Sequence, residues 1–300
     1  MYAIRNGWLG TPAAAVSIWL ISSGALANPG VAGKSAEDYF REGIEAMQGG
    51  KLPEATQAFQ LCTQLKPDLK ECWFNLGIAY GRQRDYAREA SAYLEAVKLA
   101  PAYGRAHFNL AVAYEDLGRQ SDALRHYDLA VQAEPQAMDA LLNRAMLLLS
   151  LERFDDAITG FESAIKLQPE NAEGYYDLAE AQHIKGGKLQ EPERTQWLRK
   201  AISSYQLCLA RDPVHHRSWY NIGVVHHKLK DLESEVLAYQ KALALKPKYT
   251  PALYNLAFAL RDKGEKDKAK AAFDAYIAAA GNAKQEQRFV EVAKREQAKL

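Results

Sequence analysis

The residues best suited to chemistry are two closely spaced histidine pairs, His215-His216 and His226-His227. Histidine is a common metal ligand, but ten or eleven helical residues separate the pairs by roughly 15 Å at 1.5 Å per residue, which is too far for one ion. The sequence contains no phosphate-binding glycine loop, nucleophile elbow or metalloprotease motif. We therefore expect no metal, no cofactor and no catalytic residue, and predict that the chain is not an enzyme.

The three cysteines could form one disulfide. Cys62 lies five residues before Pro67 and Cys72 lies five residues after it, so antiparallel helices joined at this proline could bring their Cβ atoms within bridging distance. The alternative is that Cys62 is a small core residue, like Cys208, which occupies the same position of the repeat described next. Both interpretations stay open for the pair, whereas Cys208 is expected to be buried and unpaired.

Six prolines recur at a nearly constant spacing that predicts a repeated helical hairpin. They are separated by 34 residues, except for one step of 44, and are Pro67, Pro101, Pro135, Pro169, Pro213 and Pro247. A period of 34 residues is typical of helix–turn–helix repeats. The first helix of each copy carries apolar residues at helical spacing, the second pairs a small residue with an aromatic one, as in Tyr93 with Ala96, and the proline ends it.

The second copy, WFNLGIAYGRQRDYAREASAYLEAVKLAP, resembles the tetratricopeptide repeat (TPR) pattern W-x2-L-G-x2-Y…F…P, and the sixth copy does so almost as well. Seven copies follow in register: 36–69, 70–103, 104–137, 138–171, 172–215, 216–249 and 250–281. The resemblance implies an all-α, right-handed superhelical TPR solenoid of seven helical hairpins. Because Gly281 replaces the last proline, we expect residues 282–300 to form a C-terminal capping helix.

The fifth copy holds ten extra residues between Lys185 and Ala201. We expect Gly186-Gly187 to end its first helix and Pro192 to lie in the first turn of the next one. The insertion then lengthens the connecting loop and the second helix, and places Trp197 near the edge of the array. Such insertions often mark a binding face, and a tolerated surface loop is the alternative.

Two tryptophans are each followed by a glutamate sixteen residues later. Trp73 and Trp219 stand at the fourth position of their repeats, and Glu89 and Glu235 stand where the other copies have alanine. A buried indole N–H needs an acceptor. We therefore predict a hydrogen bond from each tryptophan to its glutamate.

The sixth position of each repeat is the clearest candidate for ligand contact. It holds Arg41, Asn75, Asn109, Asn143, Asp177, Asn221 and Asn255. The first helices of a TPR array line its concave side, and this row resembles the asparagine ladder of the O-linked N-acetylglucosamine transferase TPR domain, with Asp177 interrupting it. The resemblance implies that the amides hold an extended peptide by its backbone, since asparagine both donates and accepts hydrogen bonds.

The preceding position adds an aromatic lining to this candidate peptide site: Phe74, Phe108, Tyr176, Tyr220 and Tyr254. Apolar exposure beside polar groups marks an interaction surface. Asparagine at the sixth position can instead bridge adjacent helices, so a purely structural row is the alternative interpretation.

The first 27 residues indicate export. A short apolar run over 13–21 follows Arg5 and precedes Ala25-Leu26-Ala27, which is typical of a bacterial signal peptide cleaved after Ala27. Residues 28–35 then form a flexible leader. The run is shorter than the roughly 20 residues that a spanning helix needs, although an uncleaved anchor is the alternative. We expect a periplasmic or secreted protein without membrane insertion after cleavage.

The charge balance excludes one class of partner. The chain has 38 basic and 37 acidic residues, whereas nucleic-acid binders usually carry a basic excess, so no nucleic acid is expected. These observations predict a non-enzymatic adaptor that binds a protein or an extended peptide in its concave groove. The alternatives are a scaffold that forms homo-oligomers and a regulatory subunit of an envelope enzyme.

Overall fold

The computed structural model describes residues 33–281 and 283–300, which form fifteen α-helices and no strand. Backbone contacts divide the chain between Glu152 and Arg153 into two compact units. The expected all-α TPR solenoid is confirmed as the fold class. The predicted signal peptide and all but the last three residues of the predicted leader lie outside the described residues.

The first unit contains three helical hairpins and the first helix of the fourth repeat. Ser35 begins α1 with a capping box, in which Ser35 and Asp38 each accept a hydrogen bond from the other's backbone N–H. The helices are α1 (Ala36–Gln48), α2 (Leu52–Leu65), α3 (Lys70–Arg82), α4 (Tyr86–Leu99), α5 (Gly104–Asp116), α6 (Gln120–Ala133) and α7 (Met138–Ser150).

The second unit begins with the second helix of the fourth repeat. Its helices are α8 (Phe154–Leu167), α9 (Ala172–Lys188), α10 (Glu193–Arg211), α11 (His216–Lys228), α12 (Leu232–Leu245), α13 (Thr250–Asp262), α14 (Lys266–Ala280) and α15 (Gln287–Gln297). The last of these is the capping helix, which buries Ala293 and packs against α14. Phe289 of this helix keeps 49% of its surface exposed.

The six recurring prolines end the second helices as predicted. Each of α2, α4, α6, α8, α10 and α12 ends two residues before its proline.

The turn inside each hairpin requires a residue with a positive φ angle. In six repeats this is the fifteenth residue, whose backbone lies in the left-handed region. Glycine fills it at Gly50, Gly118 and Gly264, but Arg84, Glu152 and Lys230 adopt φ angles of 59° to 62° there, a conformation that side chains rarely take.

Small residues let the two helices of a hairpin approach closely. A Cβ atom at Gly77 of α3 would come within 2.5 Å of the Tyr93 ring of α4, and Tyr93 is fully buried. Gly223 meets Tyr239 in the same way in the sixth repeat. The aromatic ring of the second helix therefore fills the space that the glycine of the first helix leaves.

The insertion in the fifth repeat lengthens both helices. α9 has 17 residues against 13 in α7, and α10 has 19 against 14 in α8. The prediction that Gly186-Gly187 ends the first helix is wrong, because α9 continues through both glycines and Gly186 allows close contact with Leu198 of α10. Pro192 precedes α10, and Trp197 is half-buried under the ammonium groups of Lys185 and Lys200.

Cys62 and Cys72 form a disulfide, with their Cα atoms 5.9 Å apart. This distance lies within the range that a disulfide requires, so the disulfide interpretation of the cysteine spacing is confirmed. The bridge joins the end of α2 to the start of α3 across the proline turn, and closing a loop of this size stabilises a fold by about 3 kcal/mol in the chain-entropy account. Cys208 is buried and unpaired.

None of the helices in 33–281 and 283–300 combines the length and the apolar character that crossing a bilayer requires.

Candidate functional site

The predicted asparagine row divides into buried and half-buried members. Asn109 and Asn143 keep 5% and 2% of their surface exposed, so the expectation that they present their amides to a ligand is wrong. Asn75, Asn221 and Asn255 are half-buried, as is Asp177. The peptide-binding role of this row therefore stays a prediction for its half-buried members.

Two of the three amides of the first unit bond to their own helix. Asn75 Nδ2 donates to the Glu71 carbonyl and Asn143 Nδ2 donates to the Asp139 carbonyl, both at 2.8 Å. These carbonyls lie four residues earlier in the same helix, so neither hydrogen bond links two hairpins. The contacts hold the side chains against the helix and agree with a structural role in this unit.

In the second unit the amides reach tyrosine hydroxyls across hairpins. Asn221 Nδ2 on α11 donates to the Tyr176 hydroxyl on α9 at 3.1 Å. Asn255 Nδ2 on α13 lies 3.4 Å from the Tyr220 hydroxyl on α11 and 3.3 Å from that of Tyr239. An amide group has two N–H donors and a carbonyl acceptor, so each asparagine keeps hydrogen-bonding capacity beyond these contacts.

The aromatic row also divides into buried and half-buried members. Phe74 and Phe108 are 8% and 5% exposed. Their rings pack 5.6 Å from Tyr93 and 5.9 Å from Tyr127 respectively. This packing makes them core residues and overturns their expected place on an exposed lining.

Tyr176 is 6% exposed, so its expected place on an exposed lining is wrong as well. The other two tyrosines of the row are more accessible. Tyr220 and Tyr254 are half-buried, with Tyr249 5.3 Å from Tyr220 and Phe258 4.7 Å from Tyr254. Val224 is also half-buried, and it holds the repeat position that Phe258 holds one repeat later. We call the following six residues the α11–α13 wall: Tyr220, Asn221, Val224, Tyr254, Asn255 and Phe258.

Asp177 lies beside this wall in a group of charged side chains. Glu173 pairs with Arg217 at 2.5 Å and with His215 at 3.4 Å, and Glu180 accepts a hydrogen bond from Tyr176 at 3.1 Å. Burial, followed by the charges of Glu173 and Glu180, raises the pKa of Asp177 to about 7. Burial also raises the pKa of Glu180.

Family models match three stretches of the chain. The models described as "Tetratricopeptide repeat" match 40–103, 74–138, 216–249 and 238–271, and the one described as "TPR repeat" matches 146–186. Together these segments span more than half of the chain. The chain belongs to the tetratricopeptide repeat family. TPR repeats mediate contacts between proteins, which supports a role in protein–protein interaction.

Solved TPR structures share the fold. The C-terminal part of a TPR protein from Cytophaga hutchinsonii has a TM-score of 0.68 at 17% identity, covering 82% of this chain and 97% of its own. A TPR protein from Parabacteroides merdae has a TM-score of 0.59 at 15% identity, covering 87% and 100%. YrrB, described as a TPR protein with an unusual peptide-binding site, has a TM-score of 0.56 at 19% identity, covering 66% and 97%. No curated protein matched the chain.

The tryptophan–glutamate prediction is wrong for the second TPR repeat. Trp73 donates its indole N–H to the Pro67 carbonyl at 2.9 Å. Glu89 lies in the first turn of α4, which in an antiparallel hairpin faces the end of α3, and its carboxylate lies against Gly81 there. Trp73, at the start of α3, is therefore at the opposite end of the hairpin.

The sixth repeat has the same geometry. Glu235, in the first turn of α12, is 2% exposed and lies 3.1 Å from the ring nitrogen of His227 near the end of α11. The carboxylate thus pairs with the helix end that faces it, and the prediction that it holds Trp219 is not supported by this contact.

Other histidines form local hydrogen bonds and ring contacts. No group of three potential metal ligands occurs in 33–281 and 283–300. His215 contacts Ser218 at 2.8 Å, and its hydrogen bonds to Cys208 and Glu173 raise the pKa of His215 to about 9. His107 and His126 form a buried pair, with their Nδ1 atoms 2.9 Å apart. The sequence alone did not indicate this pair. The equivalent positions of the preceding repeat hold Trp73 and Ala92.

Proposed function

We propose that the chain is a non-enzymatic adaptor that holds an extended segment of a partner protein against the α11–α13 wall. The observation that carries the proposal is the pair Asn221 and Asn255, which occupy the same position of successive repeats and are both half-buried. The tyrosine hydroxyls hold their Nδ2 groups in place. Amides fixed in this way at regular intervals suit the backbone of an extended peptide, whatever its side chains.

The aromatic rings complete the surface. Tyr220, Tyr254 and Phe258 provide partly exposed apolar area beside the amides. Apolar contact of this kind excludes water from peptide hydrogen bonds and adds affinity. The fold shared with YrrB, which is described as having a peptide-binding site, agrees with this proposal.

A double substitution tests the wall. Asn221→Ala with Asn255→Ala is expected to weaken peptide binding by about 0.5–1.5 kcal/mol for each lost hydrogen bond. Peptides would first be selected on the purified chain from a display library of random 12-residue sequences, and their affinities measured by fluorescence polarisation. Asn75→Ala is the matched control, because it removes a half-buried asparagine of the same repeat position from the first unit.

The control variant should bind the selected peptides like the parent chain. Equal losses in both variants would indicate that the peptide binds along the whole asparagine row. Unchanged binding in the double variant would show that the α11–α13 wall is not the peptide-binding site. Light scattering of the same samples separates the adaptor from a self-associating scaffold, which would assemble with rising concentration in the absence of peptide.

We also propose that the protein acts in the periplasm or outside the cell. The signal peptide predicted over 1–27 and the Cys62–Cys72 disulfide support this location, because disulfides persist in oxidising compartments. Mass spectrometry of the protein from a periplasmic extract is expected to show a chain that begins at Asn28 and is lighter by two hydrogens than its reduced form. A full-length or reduced chain there would contradict the proposal.

A further inference from the structure

The lengthened fifth repeat brings basic side chains of three helices together at one end of its hairpin. They are His183 of α9, Arg194 of α10 and Lys228 of α11, and all three are half-buried. Lys228 Nζ lies over Gly187 of α9, where an added Cβ atom would come within 3.2 Å of it. Gly187 follows His183 by four residues and so lies on the same face of α9. The Lys228 ammonium group therefore lies about one helical turn from His183.

Arg194 approaches the same place from the other helix of the hairpin. It stands four residues before Leu198 of α10, and Leu198 packs against Gly186 of α9. Because the two helices are antiparallel, Arg194 lies one turn further toward the end of α9. Burial and then the Arg194 charge lower the pKa of Lys228, while burial and then the Lys228 charge lower the pKa of His183 to about 4. The two cations are thus near enough to repel each other, and the histidine is neutral at pH 7.

Neither cation has a counter-ion among residues 33–281 and 283–300. In this part of the chain the guanidinium group of Arg194 and the ammonium group of Lys228 form no hydrogen bond and no ion pair. Glu191 and Glu193 lie close to Arg194 in the sequence, but both are exposed. Glu191 instead accepts a hydrogen bond from the Thr195 backbone N–H. Two like charges without an anion disfavour their own charged forms.

The terminal nitrogens of both side chains can be reached from outside. The enclosed nitrogens without a hydrogen bond include Arg194 Nε and His183 Nε2, but neither the Arg194 Nη atoms nor Lys228 Nζ. The donors that remain open are therefore the end of a planar guanidinium group and an ammonium group. An anion can approach them without displacing a buried side chain.

Lys228 also continues the face of α11 that carries part of the α11–α13 wall. It follows Val224 by four residues and Asn221 by seven, so the three residues share one side of the helix. Seven residues span roughly 10 Å along a helix, a distance that an extended peptide covers in about three residues. A peptide held by Asn221 can therefore place a nearby side chain against Lys228.

We propose that Arg194 and Lys228 bind a carboxylate of the partner segment that the α11–α13 wall holds. The inference rests on the proposed function, because Lys228 lies on the same helix face as Asn221 and Val224 of the wall. A basic ligand would meet two cations, and a neutral one would leave both without a counter-ion. A carboxylate has two acceptor oxygens, so it can accept from the guanidinium and from the ammonium group at once.

The test uses random peptides selected on the full chain, as for the wall. The selected peptides are expected to share an aspartate or glutamate at one position or to end in a required free carboxylate. Replacement by asparagine or glutamine, or amidation of the C-terminus, distinguishes these two sources. The neutral form should bind about tenfold more weakly, which is the lower end for a charged hydrogen bond because the site is partly open to water.

Two substitutions remove the cations one at a time. Lys228→Met and Arg194→Gln should each reduce the tenfold preference for the acidic peptide severalfold, and the double variant should bring it to near one. The neutral peptide should bind all variants like the parent chain. Lys248→Met removes an exposed lysine near the end of α12, so it is the matched control and should keep the preference. Because both site substitutions remove an unpaired cation, neither should lower the melting temperature.

The outcomes separate this inference from the adaptor function. Selected peptides without a shared carboxylate, or a preference that survives in the double variant, would overturn the inference and leave the peptide-binding role intact. Inorganic phosphate that binds the parent but not the double variant, without any preference for acidic peptides, would make this a site for free anions and would also overturn it. If no peptide binds the parent chain, the proposed function fails and this inference fails with it.

Discussion

The free energy of unfolding is expected to fall by about 3 kcal/mol between pH 7 and pH 4 because of the buried histidine pair in the first unit. Burial, together with His107 and Arg125, lowers the pKa of His126 from 6.5 to about 4. A difference of one in pKa between the folded and unfolded chains corresponds to about 1.36 kcal/mol. The unfolded chain therefore binds a proton more readily than the folded chain throughout this range, so stability is full above pH 6.5 and is lost as the pH falls.

The hydrogen bonds explain why neither ring accepts a second proton easily. His107 Nε2 lies 2.9 Å from the Pro101 carbonyl and must donate to it, which leaves His107 Nδ1 to accept from His126 Nδ1. His126 Nε2 then faces the guanidinium group of Arg125 at 3.3 Å. Protonation of His107 would place two protons in the contact between the rings, and protonation of His126 would place one against a cation.

The chain itself offers the variant that tests this. His107→Trp with His126→Ala copies Trp73 and Ala92 of the preceding repeat, and the new indole can donate to Pro101 as Trp73 donates to Pro67. Urea unfolding of both proteins at pH 7.5 and pH 4.5, followed by circular dichroism, measures the difference. The stability of the variant should depend less on pH than that of the parent by about 3 kcal/mol.

Comparison of the two proteins removes contributions from other groups, such as His183, whose pKa burial lowers to about 4. If the stabilities of parent and variant change by the same amount between the two pH values, the histidine pair does not titrate as proposed. A variant that is less stable than the parent by a constant amount at both pH values would contradict the prediction in the same way.

The repeat could be predicted from the sequence because its signals are local. Each proline ends its helix two residues earlier, and Gly77 meets Tyr93, because these effects depend only on residues within one hairpin. The spacing of Cys62 and Cys72 indicated the disulfide for the same reason, because the two cysteines flank a single turn. The sequence also predicted the extra length of the fifth repeat. It did not predict that α9 continues through the glycine pair at 186–187, because packing of Gly186 against Leu198 outweighs the weak helix propensity of glycine.

Burial along the asparagine row could not be predicted, because it depends on neighbouring hairpins. Asn143 and Asn221 occupy the same repeat position, yet one is 2% exposed and the other is half-buried. The tyrosine at Tyr176 gives Asn221 a hydroxyl to bond, whereas Asn143 turns to its own helix. The tryptophan–glutamate prediction was wrong because the chain reverses between the two helices. A residue sixteen positions later therefore faces the end of the first helix, whereas the tryptophan lies at its start.

Asp177→Asn is expected to stabilise the free protein at neutral and higher pH. The folded-state pKa of Asp177 is raised from 3.8 to about 7, so the folded chain holds its proton more tightly than the unfolded chain between these values. Stability from this group is therefore full below pH 4 and is lost as the pH rises to about 7. With about 1.36 kcal/mol for each pH step of one across this range, the loss at pH 8 is on the order of 4 kcal/mol.

Asparagine carries no charge and removes this loss. The variant should match the parent near pH 4 and exceed it by several kcal/mol at pH 8 in urea unfolding. Asp156→Asn breaks only an exposed ion pair with Arg153 and should differ from the parent by the same small amount at both pH values. A gain that is equal at both pH values would assign the effect to packing and not to the buried charge.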